Sequence, residues 1–375
     1  MKILQVGKFY PIRGGVEKVM YDMTLGLSQR GVACDMLCAT TEDHEGGTIE
    51  LNTFAKLFVI PTKLSLAATK LAPGMISRLR KIAKKYDIIH VHHPDPMASL
   101  ALFLSGYKGK VVLHWHSDIL KQKTLLRLYS PLQSWLIKRA DVIVGTTPVY
   151  VEQSPFLQKY QHKIDYIPIG IPPIQSDSTN VNRIKERYAG KKIVFSLGRL
   201  VEYKGFEYLI KAADYLSDDY VVLIGGKGPL HDDLTQLIQD HNLTQKVELL
   251  GFLSDEEVPD YFKASDLFCM SSILKTEAFG IVQLEAMASG KPIVSTNIPN
   301  SGVSWVNQNE ISGLTVPIED ASAIANAIQL ILSNDEYYER LSLGSLNRYQ
   351  SLFTLDNMVD KSLQIYNQIL SNYKV

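Results

Sequence analysis

A chain of 375 residues, 46% hydrophobic and 21% charged, is too long for one ordinary core and suits two soluble domains. Its formal net charge is zero, but up to Pro172 there are 22 Lys/Arg against 13 Asp/Glu, and beyond it 17 against 26. A basic first half invites phosphate groups or anionic lipid, and the lack of an arginine-rich or aromatic-interleaved signature argues against nucleic acid.

Cys34, Cys38 and Cys269 form neither a disulfide framework nor a zinc spacing. No apolar run approaches the roughly 18 residues of a membrane span. Met1–Gly7 leads straight into Lys8 without the apolar stretch of an export signal. The expectation is a cytoplasmic protein with at most peripheral contact to the inner membrane.

Lys2–Val6 reads as a buried strand. A loop ending in Gly14-Gly15 follows, then a helix from Val16 to about Arg30 with Val19, Met20, Met23 and Leu27 on one face. The glycine pair is not G-x-G-x-x-G, which disfavours a nicotinamide oxidoreductase; by itself it marks only a tight turn. Strands are expected at Cys34–Ala39, Leu57–Ile60, Ile88–His92, Val111–His116 and Val142–Thr146. Their alternation with helices predicts a parallel sheet covered on both faces, with ligands at the strands' C-terminal ends. Five of the nine histidines, His90, His92, His93, His114 and His116, crowd at two strand ends. No carboxylate or cysteine of suitable spacing accompanies them, so no metal is expected. Met75–Tyr86 reads as an amphipathic helix with five cations opposite an apolar face. A solvated basic side and a surface for anionic headgroups both fit.

Ile167–Asn182, rich in Pro and then Ser/Asn, separates two blocks of strand–helix alternation and marks the domain boundary. The second block opens with strand Lys192–Leu197, followed by Gly198-Arg199 and Lys204-Gly205 before a helix. Arg199 and Lys204 bracket a strand-to-helix loop of the kind that takes phosphates, although two loop cations are commonplace. Strand Tyr220–Ile224 runs into Gly225-Gly226-Lys227-Gly228-Pro229, which lacks Walker spacing. Val247–Leu250 then precedes Gly251 and Phe252. After strand Leu267–Met270 the chain reads Glu277-Ala-Phe279-Gly280-Ile281, and Glu285-Ala-Met-Ala-Ser-Gly290-Lys-Pro292 follows three residues later. Glu277 lies before a helix and Glu285 about a turn and a half inside it. The N–H groups of Phe279, Gly280 and Ile281 lie near its start, where an anion is favoured. Strand Ile293–Thr296 and terminal helices at about 335–350 and 355–370 complete the chain, the helices without a chemical motif.

The two acids and their surroundings resemble the E-x7-E pattern of the retaining, family 4 glycosyltransferases of GT-B type. The resemblance covers essentially the whole chain and is strongest from Gly198 to Pro317. It implies two Rossmann-like doubly wound parallel-sheet domains facing a central cleft. Residues 1–172 would be the acceptor domain and 173–354 the donor nucleotide-sugar domain, with a helix of about 355–375 returning to the first. It further implies that Arg199 and Lys204 hold the donor pyrophosphate, while Gly226 and Phe252 lie in the nucleotide pocket. Gly14-Gly15 would approach the donor phosphate and the acceptor, and His116 would face the donor sugar. Glu277 would bind sugar hydroxyls and Glu285 the ribose. Many family members have Pro-Glu where this chain has Val303-Ser304-Trp305, so donor specificity cannot be borrowed.

The implied activity is transfer of a hexose or deoxyhexose, from GDP-mannose or a UDP-hexose for example, to a glycan or lipid-linked acceptor in cell-surface polysaccharide synthesis. Asp-x-Asp is absent from the sequence, so cations rather than a metal would meet the diphosphate, and no cofactor is expected. A nucleotide-sugar epimerase or another GT-B enzyme is the alternative.

Overall fold

A computed structural model describes residues 1–41, 45–66, 69–119 and 123–371. The chain forms two compact units, Met1–Gly170 joined by the described residues from Leu355 onward, and Ile171–Thr354.

Unit 1 contains β1 (Lys2–Tyr10), α1 (Gly15–Gln29), β2 (Ala33–Thr40), β3 (Gly47–Asn52), β4 (Ala55–Ile60), the short strands β5 (Leu64–Leu66) and β6 (Thr69–Leu71), and α2 (Gly74–Ile82). It continues with β7 (Ile88–His93), α3 (Pro96–Ser105), β8 (Lys110–Trp115), α4 (Lys123–Arg139), β9 (Val142–Gly145), α5 (Pro148–Glu152) and β10 (Ile164–Tyr166). Its main sheet has the order β10-β9-β8-β7-β1-β2-β4-β3. All pairs are parallel except the edge strand β3, which runs antiparallel to β4. That edge strand, Gly47–Asn52, was not expected from the sequence: half of it faces solvent, and its pattern resembles that of a loop. The central strand β7 is buried at every position, as a parallel strand covered on both faces must be.

Unit 2 contains α6 (Ser178–Arg187), β11 (Lys192–Leu197), α7 (Phe206–Ala212), β12 (Tyr220–Gly225), α8 (His231–Asp240), β13 (Val247–Gly251), α9 (Val258–Ala264) and β14 (Leu267–Met270). Then come α10 (Val282–Ala288), β15 (Ile293–Thr296), α11 (Val303–Val306), β16 (Gly313–Val316), α12 (Ala321–Leu332) and α13 (Asp335–Arg348). The sheet order is β13-β12-β11-β14-β15-β16, all parallel. Its core gathers Phe206, Leu209 and Ile210 of α7 with Ile324, Ile328 and Ile331 of α12. Asp177, Asp320 and Asn334 cap α6, α12 and α13 by accepting backbone N–H groups, which supplies helix starts that short amphipathic segments need.

The last helix, α14 (Leu355–Ser371), packs on α1 of unit 1. Close approach requires Gly26, where a Cβ would come within 2.5 Å of Val359. Arg30 pairs with Asp356 at 2.7 Å and also with Asp360. Residues 372–375, included in the expected returning helix, lie outside the described residues. Ile171 donates its N–H to the Phe353 carbonyl at 3.0 Å, so the two crossings of the chain run side by side.

The cations of Met75–Tyr86 do not form one outward face. Arg78 stacks 4.2 Å above the Phe58 ring, and Arg80 donates to the Leu104 carbonyl at 3.0 Å. Arg78, Lys81 and Lys85 instead line a recess of about 360 Å³ together with Lys2, Lys56 and Asp35. Among the described residues no helix is long and apolar enough to cross a membrane.

Candidate active site

In unit 2 the strand order reverses between β11 and β14. Loops leaving neighbouring strands at such a point diverge and leave a crevice beyond the strands' C-terminal ends. The loop after β11 carries Arg199 and Lys204; the loop after β14 carries Glu277. The Lys204 ammonium lies 2.5 Å from a Glu277 carboxylate oxygen, with the side chains only 11% and 12% exposed. Ser272 donates its hydroxyl to the same oxygen at 3.1 Å, and Ser271 donates to the Lys204 carbonyl at 3.0 Å. Burial of this degree weakens salt screening and makes either charge costly without the other. The sequence reading assigned Lys204 and Glu277 to different parts of a ligand; the structure joins them. Arg199 is exposed and reaches the Tyr203 hydroxyl at 3.5 Å.

The turns after β11, β12 and β13 are stitched together by backbone. Gly198 donates to Gly225 at 3.0 Å and Gly226 to Gly251 at 2.6 Å. Gly226 has φ +133°, and a Cβ there would lie 1.9 Å from the Gly198 carbonyl oxygen, so no other residue fits. Just beyond, Phe252 is 65% exposed, with the Lys227 ammonium 5.2 Å from its ring centre. An uncovered aromatic ring beside a cation is a ready platform for a flat polar ligand.

Helix α10 begins at Val282, after Phe279, Gly280 and Ile281, so Glu285 lies in its first turn rather than a turn and a half inside. Gly280 has φ +74°, a conformation that favours glycine, and a Cβ there would also press on the ends of the Met270 and Gln283 side chains. Phe279 is buried and meets Phe353 at 6.0 Å with the rings perpendicular, and Trp305 meets Phe353 in the same manner at 5.8 Å. Arg348 lies over Trp305 and donates to the Val306 carbonyl at 2.8 Å. The unusual Val303-Ser304-Trp305 therefore builds an aromatic buttress behind the loop of Glu277.

Unit 1 has its own reversal, between β1 and β7. Here β1 outruns its expected end at Val6, with a register irregularity between Val6 and Phe9. Lys8 within it has φ +61° and donates its N–H to Asp95 at 2.7 Å and its buried ammonium to the Pro94 carbonyl at 2.7 Å. Gly14 and Gly15 have φ +130° and +56° at the start of α1. Nothing crowds a Cβ at Gly14; backbone conformation alone favours glycine there.

All five clustered histidines are buried. His90, His92, His114 and His116 form a cluster of nearly parallel rings with centres 4.0–5.2 Å apart, while His93 stacks on Trp115 at 3.8 Å. Burial holds every one of them below the usual imidazole range, His93 and His114 at about 3. Neighbouring imidazoles and Lys8 push His92 and His116 down further. One nitrogen from each of His90, His92 and His114 lies within 4.8 Å of the others. Both nitrogens of His92 already face hydrogen-bond partners, Gln5 and His116, at 2.8 Å each. The cluster is a group of neutral imidazoles.

The family description "Glycosyltransferase Family 4" matches residues 13–174, and "Glycosyl transferases group 1" matches residues 177–345. The chain is 32% identical to the O-antigen chain mannosyltransferase C of Escherichia coli, over 99% of this chain and all of that one. The chain belongs to the GT-B, family 4 glycosyltransferases. It is 29% identical to a D-rhamnosyltransferase of Pseudomonas aeruginosa, over 94% and 92% of the two chains. Sucrose-phosphate synthase from Thermosynechococcus elongatus has the same fold, with a TM-score of 0.79 at 20% identity, over 99% of this chain and all of that one. So does Anabaena HepE in complex with UDP-glucose, at 0.76 and 20%, over 98% of this chain and all of that one.

For this glycosyltransferase, sequence reasoning named the elements of both crevices but missed Gln5, Lys8 and Tyr366. Gln5 and Lys8 carried a faint signal, as polar residues in or beside an otherwise apolar strand. Tyr366 carried none, because its partners are more than 270 positions away.

Proposed function

We propose that this glycosyltransferase moves a hexose or deoxyhexose from a nucleoside-diphosphate sugar to a glycan or lipid-linked acceptor, with retention, during synthesis of a cell-surface polysaccharide. The observation that carries the reading is the buried Lys204–Glu277 pair at the unit 2 reversal point. A fixed ammonium beside a carboxylate suits a ligand with phosphate and sugar hydroxyls side by side. Lys204, with Arg199, would meet the charge growing on the leaving diphosphate, where preorganised electrostatics act most strongly. Glu277 would accept sugar hydroxyls, Glu285 a ribose hydroxyl, and the Phe252 ring would carry the base. Gly226 and the segment Phe279-Gly280-Ile281 would let backbone approach the phosphates, and Gly14-Gly15 would do the same in unit 1. His116 would take a carbohydrate hydroxyl. The cations take the place of a diphosphate-bound metal. The mannosyltransferase of Escherichia coli and the D-rhamnosyltransferase of Pseudomonas aeruginosa support a mannose- or rhamnose-type sugar, carried on GDP or UDP.

Thermal shift against GDP, UDP and their sugars tests the donor, because a ligand specific to the folded state raises stability by mass action. Turnover with an acceptor glycan, followed by anomeric NMR, then tests retention. Hydrolysis or epimerisation alone, with no transfer to any acceptor, would refute the proposal.

We further propose cytoplasmic work at an anionic membrane surface, supported by the cation-lined recess around Arg78, Lys81 and Lys85. Each such cation contributes about 1 kcal/mol near an anionic leaflet. Sedimentation should show binding to anionic but not neutral vesicles, lost at high salt and weakened when Lys81, Lys84 and Lys85 become Ser. Protein left in the supernatant at low salt would show the recess to be ordinary solvated surface.

A further inference from the structure

The cluster of histidines is joined to a hydrogen-bonded chain that starts on the last helix. Gln5 directs its amide nitrogen at the Tyr366 hydroxyl at 3.3 Å and at the Cys34 sulfur at 3.8 Å. Its amide oxygen lies 2.8 Å from Nε2 of His92, and Nδ1 of His92 lies 2.8 Å from Nε2 of His116. An amide oxygen can only accept, so His92 must carry its proton on Nε2. Neutral His92 then has a bare Nδ1, which can only accept, so His116 must donate from its own Nε2. Neutral His116 is left with a bare Nδ1, which is buried and has no hydrogen-bond partner among the described residues. Tyr366 supports the arrangement: while accepting from Gln5, its hydroxyl can donate to Nδ1 of His90 at 2.6 Å.

We propose that Gln5, acting through His92, is a positioning residue that fixes the tautomer of His116, so that His116 offers Nδ1 as an acceptor to a carbohydrate hydroxyl. The last clause rests on the proposed role of His116; the tautomer assignment does not. Turning the Gln5 amide over would place a donor against His92 and reverse both tautomers, which makes the assignment directly measurable. The Tyr366 contact also gives α14 a place behind the site, through side-chain chemistry rather than packing alone.

The test is nitrogen NMR on the full chain with ¹⁵N-labelled histidine. His116 should show a protonated Nε2 and a bare Nδ1 at neutral pH; the opposite pattern overturns the proposal. Gln5→Met keeps the volume and removes the acceptor. It should give His116 mixed tautomers and lower kcat about tenfold, the scale of one weakened hydrogen bond, with donor KM within about twofold. Gln5→Glu keeps an acceptor toward His92 and should restore the single tautomer. A single Nε2–H tautomer persisting in Gln5→Met would show that Gln5 does not set it. His116→Ala separates the two readings: wild-type turnover there would remove the carbohydrate contact, while the NMR result would still decide the tautomer chain.

Discussion

Replacing Lys204 with Met keeps the stem that lies against Gly198 and deletes only the ammonium. It orphans the Glu277 carboxylate, which is 12% exposed beside Lys204, with the Ser272 hydroxyl as its remaining partner among the described residues. Removing one member of a buried ion pair costs about 3–5 kcal/mol. The surviving charged hydrogen bond and the residual exposure place this site toward the low end, at about 2–3 kcal/mol. For a domain of this size that lowers Tm by about 4–12 °C. Adding Glu277→Gln removes the orphaned charge and should restore most of the stability, a coupling within the range of about 0.5–3 kcal/mol typical of contacting residues. Turnover behaves differently. If Lys204 meets the leaving phosphate, the single variant loses about 100-fold or more, and the double variant does not recover it. Calorimetry and initial rates on the wild type, both singles and the double complete the cycle. A double variant no more stable than Lys204→Met would refute the coupled pair, and single-variant turnover within about twofold of wild type would remove Lys204 from the reaction.

Stability should fall on acidification, because the five buried histidines stay neutral in the fold while their unfolded counterparts protonate below about pH 6.5. With His93 and His114 depressed to about 3, the loss runs from about pH 6.5 downward, at up to about 1.4 kcal/mol per pH unit for each histidine. Urea midpoints between pH 7 and 5 measure it; a flat profile would contradict the burial argument, and His114→Gln should shallow the slope. Gly226→Ala forces a Cβ against the Gly198 carbonyl oxygen in addition to a backbone strain of about 1–3 kcal/mol. It should weaken nucleoside-diphosphate binding, read by titration calorimetry, more than it lowers overall helicity. EDTA should leave turnover nearly unchanged; complete loss restored by added divalent metal would contradict the assignment of the diphosphate charge to Arg199 and Lys204.

The α/β class and most strands were legible in the sequence because buried parallel strands are written as short continuous apolar runs, such as Tyr220–Ile224, separated by helical periodicity. The loops that matter were legible for a related reason: in a doubly wound sheet, ligand-binding loops follow strand ends, so Arg199, Lys204 and Glu277 could be placed by counting. Their joining could not. Residues 204 and 277 become neighbours only because β14 inserts beside β11, a pairing set by competition among whole strands rather than by any local pattern. The start of α10 moved because Gly280 and its positive φ delay the helix, which brought Glu285 into the first turn. The cations of Met75–Tyr86 were visible as a helical pattern, but Phe58 and Leu104 decided where Arg78 and Arg80 went. The histidines followed the same division. Their alternation put His90 with His92 and His114 with His116 on shared faces, whereas the proton positions depend on Gln5 and Tyr366. Those two are 361 positions apart and meet only because the last helix packs onto α1, where Gly26 leaves room for Val359.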